Sequence, residues 1–217
     1  MNVEQARFNM IEQQIRPWEV LDSGVLSLLA IVKREDFVPA AYRALAFVDM
    51  EVPLPHGQCM LAPKVEARLL QDLQLARHES VLEVGAGSGH MAALLAHKAR
   101  HVLTFEIVPE LARMASDNLR RADVVNARVV AGDGSHGAPS DGPFDVIVLS
   151  GSVATVPESL LAQLKIGGRL AAIVGDEPVM RATLVTRVGD AQYTHVELFG
   201  TVAPRLRGFD EPPKFRF

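Results

Sequence analysis

Apolar residues in the first third of the chain recur at the spacing of amphipathic helices. This pattern predicts helices over residues 3–15, 22–33 and 64–73, because apolar side chains three and four residues apart share one helical face. Asp22 is a suitable N-cap for the second helix, and Pro63 suits the first turn of the third. Each helix needs a surface to cover, so we expect this segment to pack on the remainder of the chain.

Short apolar runs alternate with helical segments from residue 80 to about residue 175. The predicted strands cover residues 80–84, 101–106, 127–131, 144–149 and 168–174. The predicted helices cover residues 91–97, 109–121 and 157–164. Such an alternation is typical of an α/β fold with right-handed βαβ crossovers in a mostly parallel sheet. Two later extended runs, over residues 180–188 and 193–202, predict an antiparallel pair that brings the sheet to seven strands.

The composition is that of an ordinary globular protein, with 217 residues of which 48% are hydrophobic and 22% are charged. A chain of this length can bury one sizeable core, so we expect a single domain. Within it we distinguish an N-terminal layer of helices and loops over residues 1–75, an α/β core over residues 76–203 and a tail over residues 204–217.

Charge and cysteine content narrow the environment and the partners. The formal net charge is −4, which is no signature of polyanion binding, so we expect no nucleic-acid partner. The single cysteine, Cys59, cannot form an internal disulfide, which fits a reducing compartment. No apolar stretch reaches the roughly 18 residues of a membrane span, and the N-terminus lacks the pattern of a signal peptide. We therefore predict a cytoplasmic protein without a membrane partner, and its oligomeric state stays open.

The most informative stretch follows the first predicted strand, where the acidic Glu83 precedes glycines at every second position, Gly85, Gly87 and Gly89. Glycines in a turn between a strand and a helix let the backbone approach a nucleotide closely. A dinucleotide fingerprint would need a further glycine at position 90, where this chain has His90. The spacing is instead the pattern of S-adenosylmethionine-dependent methyltransferases. The donor contacts predicted in this segment are Glu83, Gly85, Ala86, Gly87, Ser88 and Gly89.

Two further acidic groups follow the next two predicted strands. Glu106 closes the second strand, where its carboxylate can accept hydrogen bonds from both ribose hydroxyls, and Ile107 lies beside it. Asp133, between Gly132 and Gly134, follows the third strand, where an acceptor can meet an adenine amino group. No phosphate-binding G-x-x-x-x-G-K-[ST] loop is present. These residues therefore predict a pocket for a nucleoside without phosphate, with S-adenosylmethionine as the cofactor.

Several acidic and histidine residues have a plain structural interpretation. Glu83 can equally serve the glycine loop by accepting hydrogen bonds from its backbone amides. Asp145, at the start of the fourth predicted strand, is better explained as a strand-edge residue than as a ligand contact. His97 and His101 are four residues apart but straddle a helix–strand boundary, so a shared metal ion is not expected. We predict no metal site.

Seven short motifs follow one another along the chain, over residues 34–39, 57–58, 81–89, 132–134, 143–148, 156–157 and 163–170. Their order resembles the protein-L-isoaspartate O-methyltransferase family. The resemblance implies a Rossmann-like methyltransferase fold with a seven-stranded sheet and S-adenosylmethionine as donor. It further implies methyl transfer to the free α-carboxylate of L-isoaspartyl residues in aged proteins or peptides, which starts protein repair.

This chain departs from the family pattern on the acceptor side. Family members typically read G-Q-T-I-S-x-P where residues 57–63 read G-Q-C-M-L-A-P, so Leu61 stands where a serine hydroxyl would face the reacting carboxylate. A leucine cannot donate that hydrogen bond. Ser150 or Ser152, at the exit of the fourth strand, would be the relocated hydroxyl. The family's F-V-P-L stretch, which shapes the peptide groove, corresponds to residues 202–206.

A carboxylate with a reference pKa of about 4 is already ionised at neutral pH, so its methylation needs no general base. The site must instead align the reacting groups and exclude water. We expect residues 58–61 to form the lid and the carboxylate clamp, with Cys59 replacing a threonine rather than acting as a nucleophile. The predicted acceptor-side residues are Gln58, Cys59, Leu61 and Ser150.

Three alternatives remain open from the sequence. The first is a methyltransferase of the same fold with another acceptor, such as a small-molecule acid, a phenol or an amine. The second is a protein that binds S-adenosylmethionine but does not transfer its methyl group. Leu61 suggests this alternative, because it cannot donate the hydrogen bond to the reacting carboxylate. The third is an NAD-dependent oxidoreductase, which His90 opposes by interrupting the dinucleotide fingerprint.

Overall fold

The computed structural model describes residues 2–211. Its N-terminal layer contains α1 (Val3–Met10), α2 (Ser23–Ile31) and α3 (Pro63–Leu73). The predicted helix over residues 3–15 is only partly α-helical, because α1 passes into a π-helical turn over Ile11–Ile15. The Asp22 side chain accepts a hydrogen bond from the Val25 amide and caps α2 as predicted. The last residues of the predicted tail, 212–217, lie outside the described residues.

A short hairpin between the N-terminal helices was not predicted from the sequence. Its strands, β1 (Val52–Leu54) and β2 (Gln58–Met60), pair antiparallel over three residues each. Two residues of the segment, Pro53 and Pro55, lack an N–H donor, and strands this short show no readable alternation. The hairpin matters because it carries residues 58–60 towards the glycine loop.

The central sheet has seven strands in the order β5-β4-β3-β6-β7-β8-β9. Pairs from β5 to β7 are parallel, and the last two pairs are antiparallel. The strands are β3 (Ser80–Val84), β4 (His101–Glu106), β5 (Ala127–Ala131), β6 (Phe144–Val153), β7 (Leu164–Asp176), β8 (Val179–Gly189) and β9 (Gln192–Thr201). The predicted mostly parallel, seven-stranded Rossmann-like α/β sheet is thus confirmed, with a mixed rather than uniform strand direction.

Helices α4 (His90–Lys98), α5 (Pro109–Arg121) and α6 (Glu158–Leu161) connect the parallel strands. The bounds of α5 agree with the prediction. The last helix is shorter than the predicted 157–164, because the chain enters β7 at Leu164. Strands β6 and β7 are longer than predicted, and the extension of β6 brings Ser150 and Ser152 into the sheet.

The sheet has an apolar cluster on each face. Neighbouring residues of β3 divide between them, since Val81 belongs to one cluster and Leu82 to the other, as expected where successive side chains point to opposite faces. The N-terminal layer packs into the first cluster together with α4 and α5. That the chain forms a single domain, divided into an N-terminal layer, an α/β core and a tail, stays a prediction. The apolar cluster that the N-terminal layer shares with α4 and α5 supports it. None of the helices within residues 2–211 is long and apolar enough to span a bilayer.

Candidate active site

The glycine loop joins β3 to α4 and crosses the carboxyl end of the sheet. Gly85, Gly87 and Gly89 have φ angles of 94°, 54° and 86°, a region that side chains other than glycine rarely adopt. At Gly89 a Cβ would lie 3.1 Å from the carbonyl oxygen of Ala115, so glycine also permits the close approach of α5. The spacing of the glycines is thus a requirement of the backbone itself.

Glu106 fastens the end of β4 to the glycine loop. Its Oε2 accepts a hydrogen bond from the Gly87 amide at 2.8 Å, and its Oε1 accepts one from the Val108 amide at 3.0 Å. Each carboxylate oxygen retains a lone pair for a further donor. Ile107, which follows Glu106, is 38% exposed and offers an apolar side chain beside that carboxylate.

The Gly132–Asp133–Gly134 turn lies next to Glu106, because the Gly132 amide donates to the Glu106 carbonyl oxygen at 2.9 Å. Asp133 Oδ1 accepts a hydrogen bond from the Ser135 amide at 2.9 Å. A Cβ at Gly134 would lie 2.7 Å from Phe105 Cβ. The turn is therefore packed closely against β4, and the ends of β3, β4 and β5 bring the predicted donor-side residues into one row.

The Glu83 carboxylate does not accept hydrogen bonds from the amides of the glycine loop, which was one of its two predicted roles. It is fully buried, and its carboxylate accepts hydrogen bonds from the hydroxyls of Thr104 and Ser150, both at 2.7 Å. Its partners are thus side chains on β4 and β6 rather than loop amides. Burial raises the pKa of Glu83 to about 7, against the opposing effect of the two hydrogen bonds. Glu83, on β3, therefore links β4 to the exit of β6.

A small pocket opens beside the glycine loop. Its walls combine loop residues 85–88 with residues 59–61, Glu66, His90, Met91 and Ser150. The structure therefore brings predicted donor-side and acceptor-side residues into one cavity. Gln58 is not part of these walls, and its side-chain amide reaches only the His56 carbonyl oxygen at 3.5 Å. None of the described residues lining the pocket is lysine or arginine.

The polar side chains on the acceptor wall are already engaged with carboxyl groups. Ser150 donates its hydroxyl hydrogen to Glu83. Burial, followed by the charge of the neighbouring Glu51, raises the pKa of the Cys59 thiol to about 12. Cys59 is therefore a protonated thiol at neutral pH, which agrees with its interpretation as a replacement for threonine. Leu61 is buried, with 6% of its surface exposed.

Two further segments pack against the glycine loop. From β1, Leu54 Cδ1 lies 3.3 Å from the position of a Cβ on Gly87. From the C-terminal segment, Leu206 Cδ2 lies 2.7 Å from the corresponding position on Gly85. Arg207 joins the two by donating a hydrogen bond to the His56 carbonyl oxygen at 2.8 Å. The segment that corresponds to the family's F-V-P-L stretch therefore contacts the glycine loop directly.

Sequence reasoning missed a buried polar cluster beneath the loop, formed by Arg34, Glu66 and His90. Glu66 Oε2 pairs with the Arg34 guanidinium and with His90 Nδ1, the latter at 2.9 Å. Burial alone would raise the Glu66 pKa, but His90 and Arg34 outweigh it and lower the value. In the sequence, His90 is notable only because it interrupts a glycine pattern. No sequence pattern indicates that it contacts Glu66 and Arg34, which lie 24 and 56 positions away.

Comparison with known proteins decides the family. A family profile described as "Protein-L-isoaspartate(D-aspartate) O-methyltransferase (PCMT)" matches residues 5–202. The chain belongs to this family. The resemblance inferred from the seven motifs is thereby confirmed, and the match extends beyond them into the N-terminal helices and β9.

Individual relatives agree with the family assignment. A protein-L-isoaspartate O-methyltransferase of Koribacter versatilis is 40% identical over 181 residues, covering 83% of this chain and 81% of the relative. One from Rhodopseudomonas palustris is 40% identical over 190 residues, covering 87% of each chain. A Plasmodium falciparum structure described as this methyltransferase in complex with S-adenosyl-L-homocysteine has a TM-score of 0.81 at 20% identity, covering 95% and 99% of the chains. This last similarity establishes the fold.

Proposed function

We propose that the protein is an S-adenosylmethionine-dependent methyltransferase that methylates the α-carboxylate of L-isoaspartyl residues in proteins or peptides. The observation that carries the proposal is the family match over residues 5–202. It is supported by the pocket in which the glycine loop faces residues 59–61. Donor and acceptor groups held in one cavity can react without a diffusional encounter.

The donor side suits a nucleoside bearing a cationic sulfonium. Residues 85–89 form the cradle, Glu106 with Ile107 receives the ribose, and Asp133 with its flanking glycines receives the adenine. The carboxylates at Glu106 and Asp133 can accept hydroxyl and amino hydrogens. His90 stands where a dinucleotide fingerprint needs its third glycine, which disfavours a dinucleotide. When bound, S-adenosylmethionine supplies a methyl group on sulfur, and Glu83 supports the site from below rather than touching the donor.

The acceptor side has to hold an ionised carboxylate in line with the donor. Because that carboxylate has a pKa of about 4, no residue has to remove a proton. Leu54 and Leu206 pack against the glycine loop and shield it from water, and a dry site strengthens the attraction between opposite charges. Cys59, Leu61 and Ser150 line the wall next to the reacting group, and Gln58 lies at the edge of the lid.

A second candidate is a methyltransferase of the same fold with a different acceptor. The observation in its favour concerns the three predicted side chains of the acceptor wall. Leu61 is apolar, the Ser150 hydroxyl is bonded to Glu83, and the Cys59 thiol lies in the field of Glu51. An acceptor whose nucleophilic oxygen or nitrogen needs no hydrogen bond from a side chain would suit such a wall.

A methylation assay separates these possibilities. The chain is incubated with S-adenosylmethionine and either an isoaspartyl peptide or the same peptide with a normal aspartyl residue. We expect methyl ester only on the isoaspartyl peptide, and none with a Gly87→Val variant. Methylation of a phenolic, amine or small-acid substrate alone would favour the second candidate. Donor binding without methyl transfer to any of them would identify a binding protein.

The cellular role follows from this activity. We expect the protein to act in the cytoplasm, where methyl esterification of isoaspartyl residues starts the repair of aged proteins. A single cysteine and a net charge of −4 support a reducing compartment and a peptide rather than a nucleic-acid partner.

A further inference from the structure

The buried Arg34–Glu66–His90 cluster lies between the two halves of the pocket. His90 is the first residue of α4 and directly follows Gly89 of the glycine loop. Glu66 lies in the first turn of α3, a few residues after the acceptor-side segment 58–61. Arg34 comes from a short 3-10 turn of the N-terminal layer. Three distant parts of the chain therefore meet at one buried point.

Hydrogen bonds run through this cluster without interruption. The Leu61 carbonyl oxygen accepts a hydrogen bond from Arg34 Nη2 at 2.7 Å. Arg34 Nη1 pairs with Glu66 Oε2, and the same oxygen is 2.9 Å from His90 Nδ1. The cluster thus connects the main chain at Leu61 with the start of the helix that follows the glycine loop.

Stability is a weak explanation for these groups. All three are buried, with 2–4% of their surface exposed, and removing paired charges from water costs about as much free energy as their attraction returns. Apolar residues of similar volume would serve a core at least as well. The planar guanidinium does what an apolar residue cannot, since it holds two partners in a fixed relative orientation.

We propose that Arg34 is a positioning residue for methyl transfer, which through Glu66 and His90 holds the backbone at Leu61 in register with the glycine loop. This inference rests on the proposed function. Arg34 does not line the pocket and acts only through Leu61 and Glu66. A shift of this wall by about 1 Å would misalign the acceptor and slow the reaction by about 100-fold.

The test is the substitution Arg34→Lys, which keeps the charge but cannot bond Glu66 and the Leu61 carbonyl in the same planar geometry. Arg169→Lys is the matched control. Arg169 also pairs with a glutamate, Glu79, and also donates to a main-chain carbonyl, that of Leu73 at 2.6 Å. It does not line the pocket, so it reports the cost of the same chemical change elsewhere in the fold.

The first readout is steady-state methylation of an isoaspartyl peptide, together with the Kd of S-adenosylhomocysteine and the thermal unfolding midpoint. We expect Arg34→Lys to lower kcat by about 10- to 100-fold while the Kd changes by less than about three-fold. Arg169→Lys should keep kcat within about two-fold even where it lowers the unfolding midpoint equally. Equal kcat values in the two variants would overturn the inference.

The second readout does not depend on activity. Cys59 is the only cysteine of the chain and lies on the same pocket wall as Leu61, so its rate of reaction with N-ethylmaleimide reports on that wall. We expect a rate increase of about 10-fold in Arg34→Lys and no change in Arg169→Lys. An unchanged rate in Arg34→Lys would contradict the positioning role.

The two proposals can fail separately. If the natural chain leaves the isoaspartyl peptide unmodified, the proposed function fails, while the thiol rates still decide whether Arg34 holds the wall. Should Arg34→Lys not fold, Glu66→Gln replaces it, since this change preserves size and weakens the link to both Arg34 and His90. Glu66→Gln is then expected to differ from Arg169→Lys in kcat and in the reaction rate of the Cys59 thiol. Equal values in these two variants would count against the inference.

Discussion

The proposed donor side and the proposed acceptor side of the site are built in different ways. On the donor side, Glu106 and Asp133 receive backbone amides at the ends of neighbouring parallel strands. On the acceptor side, the walls come from a short hairpin and the exit of β6, which lie far apart in the sequence. Of their polar groups, Ser150 bonds to the side chain of Glu83 and Cys59 lies beside the charge of Glu51.

This difference predicts which property a substitution on each side will change. The donor geometry follows from the sheet, because parallel strands present their carboxyl ends along one edge. The acceptor geometry depends on side-chain contacts between loops, which can be exchanged without altering the sheet. Substitutions on the donor side should therefore change affinity for the cofactor, whereas substitutions on the acceptor side should change turnover. Four experiments test this division.

The largest effect is expected from Gly87→Val. A β-branched residue at a φ of 54° is strained, and its side chain would enter the space beneath Leu54. We expect the Kd of S-adenosylhomocysteine, measured by calorimetry, to rise by about 100-fold or more. Gly167→Val is the control, because Gly167 has a φ of 82° and open space around it. A similar Kd for both variants would remove the glycine loop from the donor site.

A smaller loss of affinity is expected from Glu106→Gln. The amide keeps one oxygen acceptor but loses the charge, and hydrogen bonds to charged groups contribute about 1.5–3 kcal/mol each. The Kd of S-adenosylhomocysteine should rise by about 10- to 100-fold. Glu110→Gln serves as control, since this exposed glutamate bonds His56 at 2.7 Å outside the donor row. An unaltered Kd in Glu106→Gln would remove Glu106 from the donor site.

The acceptor side is tested by Leu61→Ser. A serine hydroxyl can donate to the reacting carboxylate, which should raise kcat/KM for an isoaspartyl peptide by about 10-fold. The Kd of the donor analogue should remain the same, in contrast to the two donor-side variants. Leu61→Ala removes a similar volume without adding a donor and should not gain activity. If both variants lose activity equally, Leu61 matters for packing rather than for acceptor chemistry.

The smallest effect concerns Glu83, which joins the two sides. Its pKa of about 7 in the folded protein lies above the ordinary value of 4.5. The carboxyl therefore stabilises the fold fully below about pH 4.5, and this contribution is lost as the pH rises through about 7. Glu83→Gln cannot ionise, so it should gain stability relative to the natural chain, by about 1 kcal/mol at about pH 8, after allowance for weaker hydrogen bonds.

Denaturant unfolding at several pH values measures this gain. Glu79→Gln should show the opposite trend, because the hydrogen bonds from Arg169 and the Ala76 amide outweigh burial and lower the Glu79 pKa. Glu79 thus stabilises the fold above its ordinary pKa and loses that contribution as the pH falls. A gain in Glu83→Gln that does not depend on pH would argue against a buried ionisation at this position.

The sequence by itself determined the sheet and the donor row. Strands β3, β4 and β5 could be predicted because each is an apolar run bounded by turn residues, and Gly85, Glu106 and Asp133 follow those strands directly. Their convergence needs no knowledge of long-range contacts, since parallel strands impose it. The family motifs likewise lie mostly in contiguous segments.

Tertiary structure alone decided the acceptor wall. The approach of Leu206 to Gly85, the capture of the Ser150 hydroxyl by Glu83 and the meeting of Arg34 with Glu66 and His90 all join residues that are 24 or more positions apart. Periodicity describes which face of an element is buried, but it carries no information about which distant side chain will lie opposite. Hydrogen bonds between buried polar groups depend on that pairing, and they set the geometry in which the reaction takes place.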